Sequence, residues 1–370
     1  MEVILVKKLL MIPGPTQVSK LSLKQMSLPV QPHYGDYWKK NYNSIISKLQ
    51  KIFFTKTVPL ILAGSGTYCM EAAISSALQP NDQVIVIKNG YWAERAIEIF
   101  KSWKVKVHII NLGFRENVDV TRIEKSLKSI KNIKMVFFVH VETSTGSEID
   151  INSITKICKK YNVLSLIDSV GGLGGTNVKF DLMNIDFLAT SSQKCLESPA
   201  GLGILCISNK AKNIIKSNKR SLGWTLNVKN LENYKKKWKL WHPHGPTTAP
   251  VSLYLALEKS IDLILKEGLN KRFDRHKKIK NYVRAQLVKM NLELFIKDEK
   301  YASNTLTTFL LPKKIKLRQL ITVMNKKYNI IISGDLGYID ARLVRIAHMG
   351  RSANLKNINK TLSAIKKIIN

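Results

Sequence analysis

The chain has 370 residues, 45% of them hydrophobic, which suits a soluble protein with one large domain and a smaller one. No run nears the ~18 consecutive apolar residues of a membrane span. The first ten residues hold two lysines and too short an apolar stretch for a secretory signal, so a cytoplasmic protein is expected. The formal charge is +34, from 60 basic and 26 acidic residues. Of the basic residues 49 are lysines spread along the chain, which reads as solvated helix faces and predicts no specific nucleic-acid partner.

In chain order, short apolar runs at 60–62, 83–87, 106–110, 134–139, 163–167, 187–189 and 202–207 read as strands. Between them, helices are predicted at 70–78, 92–103, 121–130 and 153–161. Thr121 with Glu124 three residues on has the form of a capping box. This alternation predicts an α/β fold, a mostly parallel sheet sandwiched by helices. Lys235-Lys236-Lys237-Trp238-Lys239 interleaves an aromatic with charge, as single-strand binders do, but reads first as a helix face. A long helical pattern covers 251–288, broken near Gly268. Segments 305–311 and 342–347, a helix at 317–327 and a last helix from Leu355 describe a smaller α+β C-terminal domain. The expected division is an arm at 1–20, a large domain at 21–267 and a small one at 268–370. No linker or internal repeat separates them, so tight coupling is expected.

Four cysteines (Cys69, Cys158, Cys195 and Cys206) lack Cys-x-x-Cys spacing, which argues against a structural zinc site or a disulfide framework. Cys195 reads as a small packing residue because no activating base is suggested beside it. Chemistry gathers elsewhere. Asp168 ends an apolar run at what reads as the carboxyl end of a buried parallel strand, the edge where open α/β sheets bind ligands. Lys194 follows it by 26 positions. Pyridoxal phosphate needs both partners, an amine for the Schiff base and a carboxylate that keeps the pyridine nitrogen protonated. Gly64-Ser65-Gly66-Thr67 opens a helix and suits either a phosphate or a plain change of direction. Trp92 after Asn89-Gly90-Tyr91 suits ring stacking or core packing. Thr143 in Glu142-Thr143-Ser144-Thr145-Gly146 suits a hydroxyl contact to a cofactor or turn chemistry.

Taken with Pro13-Gly14-Pro15-Thr16, Asp168-Ser169, Ser192-Gln193-Lys194 and Val344-Arg345-Ile346, these stretches resemble the class V aminotransferases, fold-type I pyridoxal-phosphate enzymes. Within that group they are nearest to the alanine–glyoxylate and serine–pyruvate aminotransferases. The stretches occur in family order and cover nearly the whole chain. The resemblance implies Lys194 as the Schiff-base lysine and Asp168 as the pyridinium partner. Trp92 would stack on the ring and Thr143 would meet its phenolic oxygen. Ser65, Gly66, Thr67 and Gln193 would hold the phosphate, joined by Thr248 from the other subunit of a homodimer. Gly14 and Arg345 would face the substrate, with Arg345 clamping its α-carboxylate. The implied partners are a small amino acid and a keto acid.

Three features depart from that pattern. Thr67 stands where alanine–glyoxylate enzymes carry histidine, and Trp241 where a tyrosine is expected. Two extra residues fall near His244-Gly245. The run Gly64 to Tyr68 is closer to the 2-aminoethylphosphonate aminotransferases, and 343–350 is similar to the pyridoxamine–pyruvate enzymes. A transaminase of alanine or serine with glyoxylate or pyruvate is the expected activity. The alternatives are a phosphonate transaminase, a pyridoxal-phosphate lyase or desulfurase, and a basic non-enzyme on the same fold.

Overall fold

Runs rich in branched and aromatic residues form the expected seven strands. They are β1 (Leu60–Ala63), β2 (Gln83–Lys88), β3 (Lys106–Asn111), β4 (Ile133–Val139), β5 (Leu164–Asp168), β6 (Phe187–Ser191) and β7 (Leu202–Ile207). The computed structural model describes residues 8–218, 223–238, 241–337 and 339–369. Spatially the strands run β1-β7-β6-β5-β4-β2-β3. All neighbours pair in parallel except β7, which is antiparallel to both β1 and β6. Every residue of β5, β6 and β7 is buried, which explains why these segments are apolar without alternation. Successive side chains point to opposite faces. Val136 and Phe138 of β4 join one core with Ile167, while Met135, Phe137 and Val139 join another with Leu166.

Helices cover both faces, and their starts differ from the sequence expectation. The helix expected at 70–78 begins at the glycine turn itself, as Gly66–Ala77. The one expected at 153–161 spans Ile151–Lys160, capped by Asp150. The capping box at Thr121 is not formed. The helix is Val120–Ser129 and its cap is Asp119, whose carboxylate accepts from the Thr121 amide at 2.9 Å and the Thr121 hydroxyl at 2.7 Å. An ionised acid two residues upstream outcompetes a hydroxyl for those donors. Glu124 instead accepts from Lys160 and Tyr161. The helix Gly35–Phe53 was not anticipated, although Trp38, Tyr42, Ile45, Leu49 and Ile52 recur at helical spacing and are buried. It packs against Val251–Glu267.

The pattern at 251–288 is two helices, Val251–Glu267 and Leu269–Lys289, separated at Gly268 with φ +86°. Beyond them lies an antiparallel sheet of β8 (Glu293–Leu294), β9 (Leu306–Leu310), β10 (Ser333–Gly334) and β11 (Leu343–Ala347), in the order β8-β9-β11-β10. Leu317–Tyr328 and Leu355–Ile369 pack on it around a separate core. The start of the chain is built into this region. Leu9–Leu10 pair in parallel with Ile330–Ile331, and Leu9 and Met11 enter the same core. Residues 1–7 of the expected arm lie outside the described residues. Among the described residues, no helix is long and apolar enough to cross a membrane.

Candidate active site

Five loops at the carboxyl ends of β1, β2, β4, β5 and β6 converge on one cleft of about 170 Å³. Its lining includes Ser65, Gly66, Thr67, Trp92, Thr143, Asp168, Gln193 and Lys194, eight of the eleven residues singled out from the sequence. Such an edge is where the strand-to-helix loops of a parallel sheet leave room for a ligand.

Ser65 is the N-cap of Gly66–Ala77, yet its side chain caps no amide. The first N–H groups of that helix and the Ser65 and Thr67 hydroxyls are therefore available to an anion. A Cβ on Gly66 would lie 2.3 Å from Val170 Cγ2, so only glycine lets the helix start this close to β5. Across the cleft, Ser191 Oγ and Gln193 Oε1 are buried without partners. The Ser191 hydroxyl can donate to a phosphate lying between it and the helix end, and with the uncapped helix amides it fits the phosphate of pyridoxal phosphate; the Gln193 amide would turn its N–H side, not its oxygen, toward such an anion.

Asp168 is buried, and one carboxylate oxygen accepts from the Val170 amide at 2.9 Å. Burial raises its pKa above the usual carboxylate value, opposed by that N–H and by the positive charges of Arg95 and Lys194. Burial brings Lys194 down to about 8, with Asp168 pulling the other way and Arg345 and Arg95 adding to the depression. Lys194 Nζ donates to the Pro13 carbonyl. Gly14 has φ +109°, and a Cβ there would lie 2.5 Å from Lys194 Nζ. The Pro13-Gly14 backbone is thus pressed against the amine.

Trp92 is held by two bonds. Its backbone N–H donates to Glu142 at 3.1 Å and its indole Nε1 donates to Thr143 Oγ1 at 2.6 Å. A hydroxyl that accepts still has its own proton to give, so Thr143 can donate into the cleft. Glu142 is fully buried, and burial pushes its pKa up to about 7 despite bonds from Ser144.

Arg345, on β11, does not line the cleft. Its Nε donates to Gly334 O at 2.6 Å and one terminal nitrogen to Thr143 O at 3.0 Å, so a single peptide separates it from the Thr143 side chain. Thr248 is not in the cleft either. It is exposed, on a separate surface with Thr247, Tyr68 and His244. Sequence reasoning missed Arg95, which lines the cleft. It stands three positions after Trp92 on the helix Tyr91–Ser102, a spacing that puts both on one face and was a readable signal.

Two groups outside the cleft carry less than they suggest. His33, His242 and His244 bring ring nitrogens within 4.8 Å of one another. His244, however, accepts from Trp38 Nε1 through Nδ1 and meets Thr247 O through Nε2, so both nitrogens are engaged before any metal arrives. The helix Val228–Lys237 ends in Lys235, Lys236 and Lys237, with Lys235 over the Tyr42 ring at 5.3 Å; Lys239 lies outside the described residues. All four cysteines are free and buried, and burial lifts the Cys195 thiol to about 12, in keeping with a packing role.

Comparison with known proteins agrees with this geometry. An uncharacterised aminotransferase of Methanocaldococcus jannaschii is 35% identical over 366 residues, covering 99% of this chain and 94% of that one. The alanine–glyoxylate aminotransferase of Mus musculus is 30% identical over 369 residues, with 98% and 87% covered. The crystal structure of an alanine–glyoxylate aminotransferase from Nostoc sp. superposes with a TM-score of 0.94 at 25% identity, covering 100% of this chain and 97% of that one. Residues 22–347 match the family model for aminotransferase class-V. The chain belongs to the class V aminotransferases and is a pyridoxal-phosphate-dependent enzyme, similar to the alanine–glyoxylate aminotransferases.

Proposed function

We propose that this aminotransferase moves the amino group of a small L-amino acid, alanine or serine, to glyoxylate or pyruvate. The observation that carries the reading is the approach of one guanidinium, Arg345, to a narrow cleft through the Thr143 peptide. A planar fork there suits a single α-carboxylate, and the cleft leaves little room beside a cofactor for a long side chain. The likeness to alanine–glyoxylate enzymes supports the same choice.

When bound, pyridoxal phosphate supplies an electron-poor ring that takes up the charge left as the substrate loses its Cα proton. Lys194 Nζ would hold the cofactor and then carry that proton, a task suited to an amine brought down to about 8. Asp168 would keep the ring nitrogen protonated, Trp92 would cover the ring face, and the Thr143 hydroxyl would donate to the ring oxygen. Ser65, Gly66, Thr67 and Gln193 would hold the phosphate, while Gly14 borders the substrate beside Lys194. Thr248, exposed and away from its own cleft, would reach the phosphate of a second copy, making the enzyme a homodimer. The exposed rings of Trp224, Trp241 and Tyr34 support that surface as an interface.

Holoenzyme mixed with L-alanine or L-serine and no acceptor should lose the absorbance band of the bound cofactor within one turnover. Conversion by 2-aminoethylphosphonate alone would overturn the assignment. Arg345→Ala should raise KM for alanine about 100-fold, the worth of one strong charge-assisted contact, at unchanged cofactor content. Steady-state kinetics with an unchanged KM would remove the clamp.

A further inference from the structure

Arg95 is half-buried, and its donors are used differently from those of the buried arginines. Arg272 is satisfied by Gly174 O, Cys195 O and the carboxylates of Glu197 and Glu267, and Arg345 by two carbonyls. Arg95 Nε is buried with no hydrogen-bond partner. Its guanidinium carbon instead sits 4.2 Å from the centroid of the Trp92 ring, and the residue lines the same cleft as Asp168 and Lys194. A buried N–H without an acceptor is costly unless the group that carries it is otherwise engaged. An indole face is one favourable partner and a nearby anion is another.

We propose that Arg95 is a positioning residue of the active site, its guanidinium backing the Trp92 indole and providing the cleft with a fixed positive charge. The inference rests on the assignment of Lys194 and Asp168 to the cofactor. Trp92 is held at its backbone by Glu142 and along its ring edge by Thr143, and Arg95 adds a contact on its face. The charge acts on both ionisable partners in the useful sense, since a cation favours the deprotonated form of an acid and of an amine alike. Lys194 is also faced by Asp168, Cys195 and Arg345, and Asp168 by Lys194 and His140, with Glu142 close enough to feel its charge. Lys194 would surrender its own ammonium on holding the cofactor, so a second cation in the cleft would keep the field there.

The test compares wild type, R95K and R95Q as holoenzymes, by the pH midpoint of the bound-cofactor absorbance and by pyridoxal phosphate affinity of the apo-proteins. R95Q should raise the midpoint by about one pH unit and weaken cofactor binding about tenfold. R95K, which keeps a charge but not the planar face, should hold the midpoint near wild type and lose affinity only. A folded R95Q with the wild-type midpoint would overturn the proposal, as would an R95K with undiminished affinity should R95Q fail to fold. Borohydride reduction and peptide mapping of each sample separates this failure from a wrong site. Label absent from Lys194 in wild type would sink the cofactor assignment, whereas label present with unmoved midpoints sinks only the role of Arg95.

Discussion

Replacing Lys194 with alanine is expected to abolish the covalently held chromophore and lower kcat by at least about 1,000-fold, the scale of a lost general base. The cofactor should still bind through the helix end of Gly66–Ala77 and the other cleft groups, so a colour change without loss of binding is the expected signature. Borohydride reduction followed by mapping should label Lys194 in the wild type and nothing in the variant. Full activity in the alanine variant would reject the role.

The same substitution has a consequence for the apo-protein. Lys194 titrates near 8 when folded, against 10.5 for a free lysine side chain. Between those values the unfolded chain keeps a proton that the native state has released. Stability therefore rises with pH across that window, because the unfolded state binds more protons. Lys194→Ala should flatten this rise in chemical denaturation measured at pH 8 and pH 10. A slope equal to that of wild type would mean the amine is not depressed.

Asp168→Asn should be nearly as damaging to activity, with kcat reduced about 100- to 1,000-fold, comparable to losing a preorganised electrostatic partner. An amide presents no charge to hold a proton on the ring nitrogen, so the electron-withdrawing ring is lost even when the cofactor is bound. Its effect on the fold should be opposite in kind. Asp168 is a buried acid whose pKa is raised by its surroundings, and removing such a charge relieves desolvation. We expect the apo-variant to melt no lower than wild type while turnover collapses. Loss of activity in parallel with loss of melting temperature would point to a structural role instead.

The sheet was legible because its strands are short runs buried on both faces, and such runs admit few other readings. Asp168 and Lys194 were legible for a related reason. A charged residue ending an apolar strand needs an explanation, and a lysine just past the neighbouring strand lines the same cleft. The helix at Gly35–Phe53 was missed because its polar face is crowded with lysine and asparagine and conceals a regular apolar stripe. The cap at Asp119 was misassigned because Thr121 with Glu124 matches the capping-box pattern only two residues further on. Arg95 went unnoticed because a basic residue on a helix of a lysine-rich chain looks like one more solvated charge. Its spacing from Trp92 was the one signal, and its stacking on that ring and its buried, unpaired Nε single it out in the structure. The position of Arg345 relative to Thr143 depends on how the two sheets meet, and no local pattern encodes that.

The segment from Leu9 to Thr16 joins the two sheets by hydrogen bonds at both ends. Leu9 and Met11 donate to Asn329 and Ile331, Ala347 donates back to Met11, and Thr16 bonds the carbonyls of Gln193 and Lys194. Eight residues thus form a tether with the smaller sheet at one end and the Lys194 segment at the other. If the C-terminal sheet tilts, the Pro13 carbonyl must slide along Lys194 with it. Access to the amine and the posture of the Arg345 sheet are then one mechanical variable.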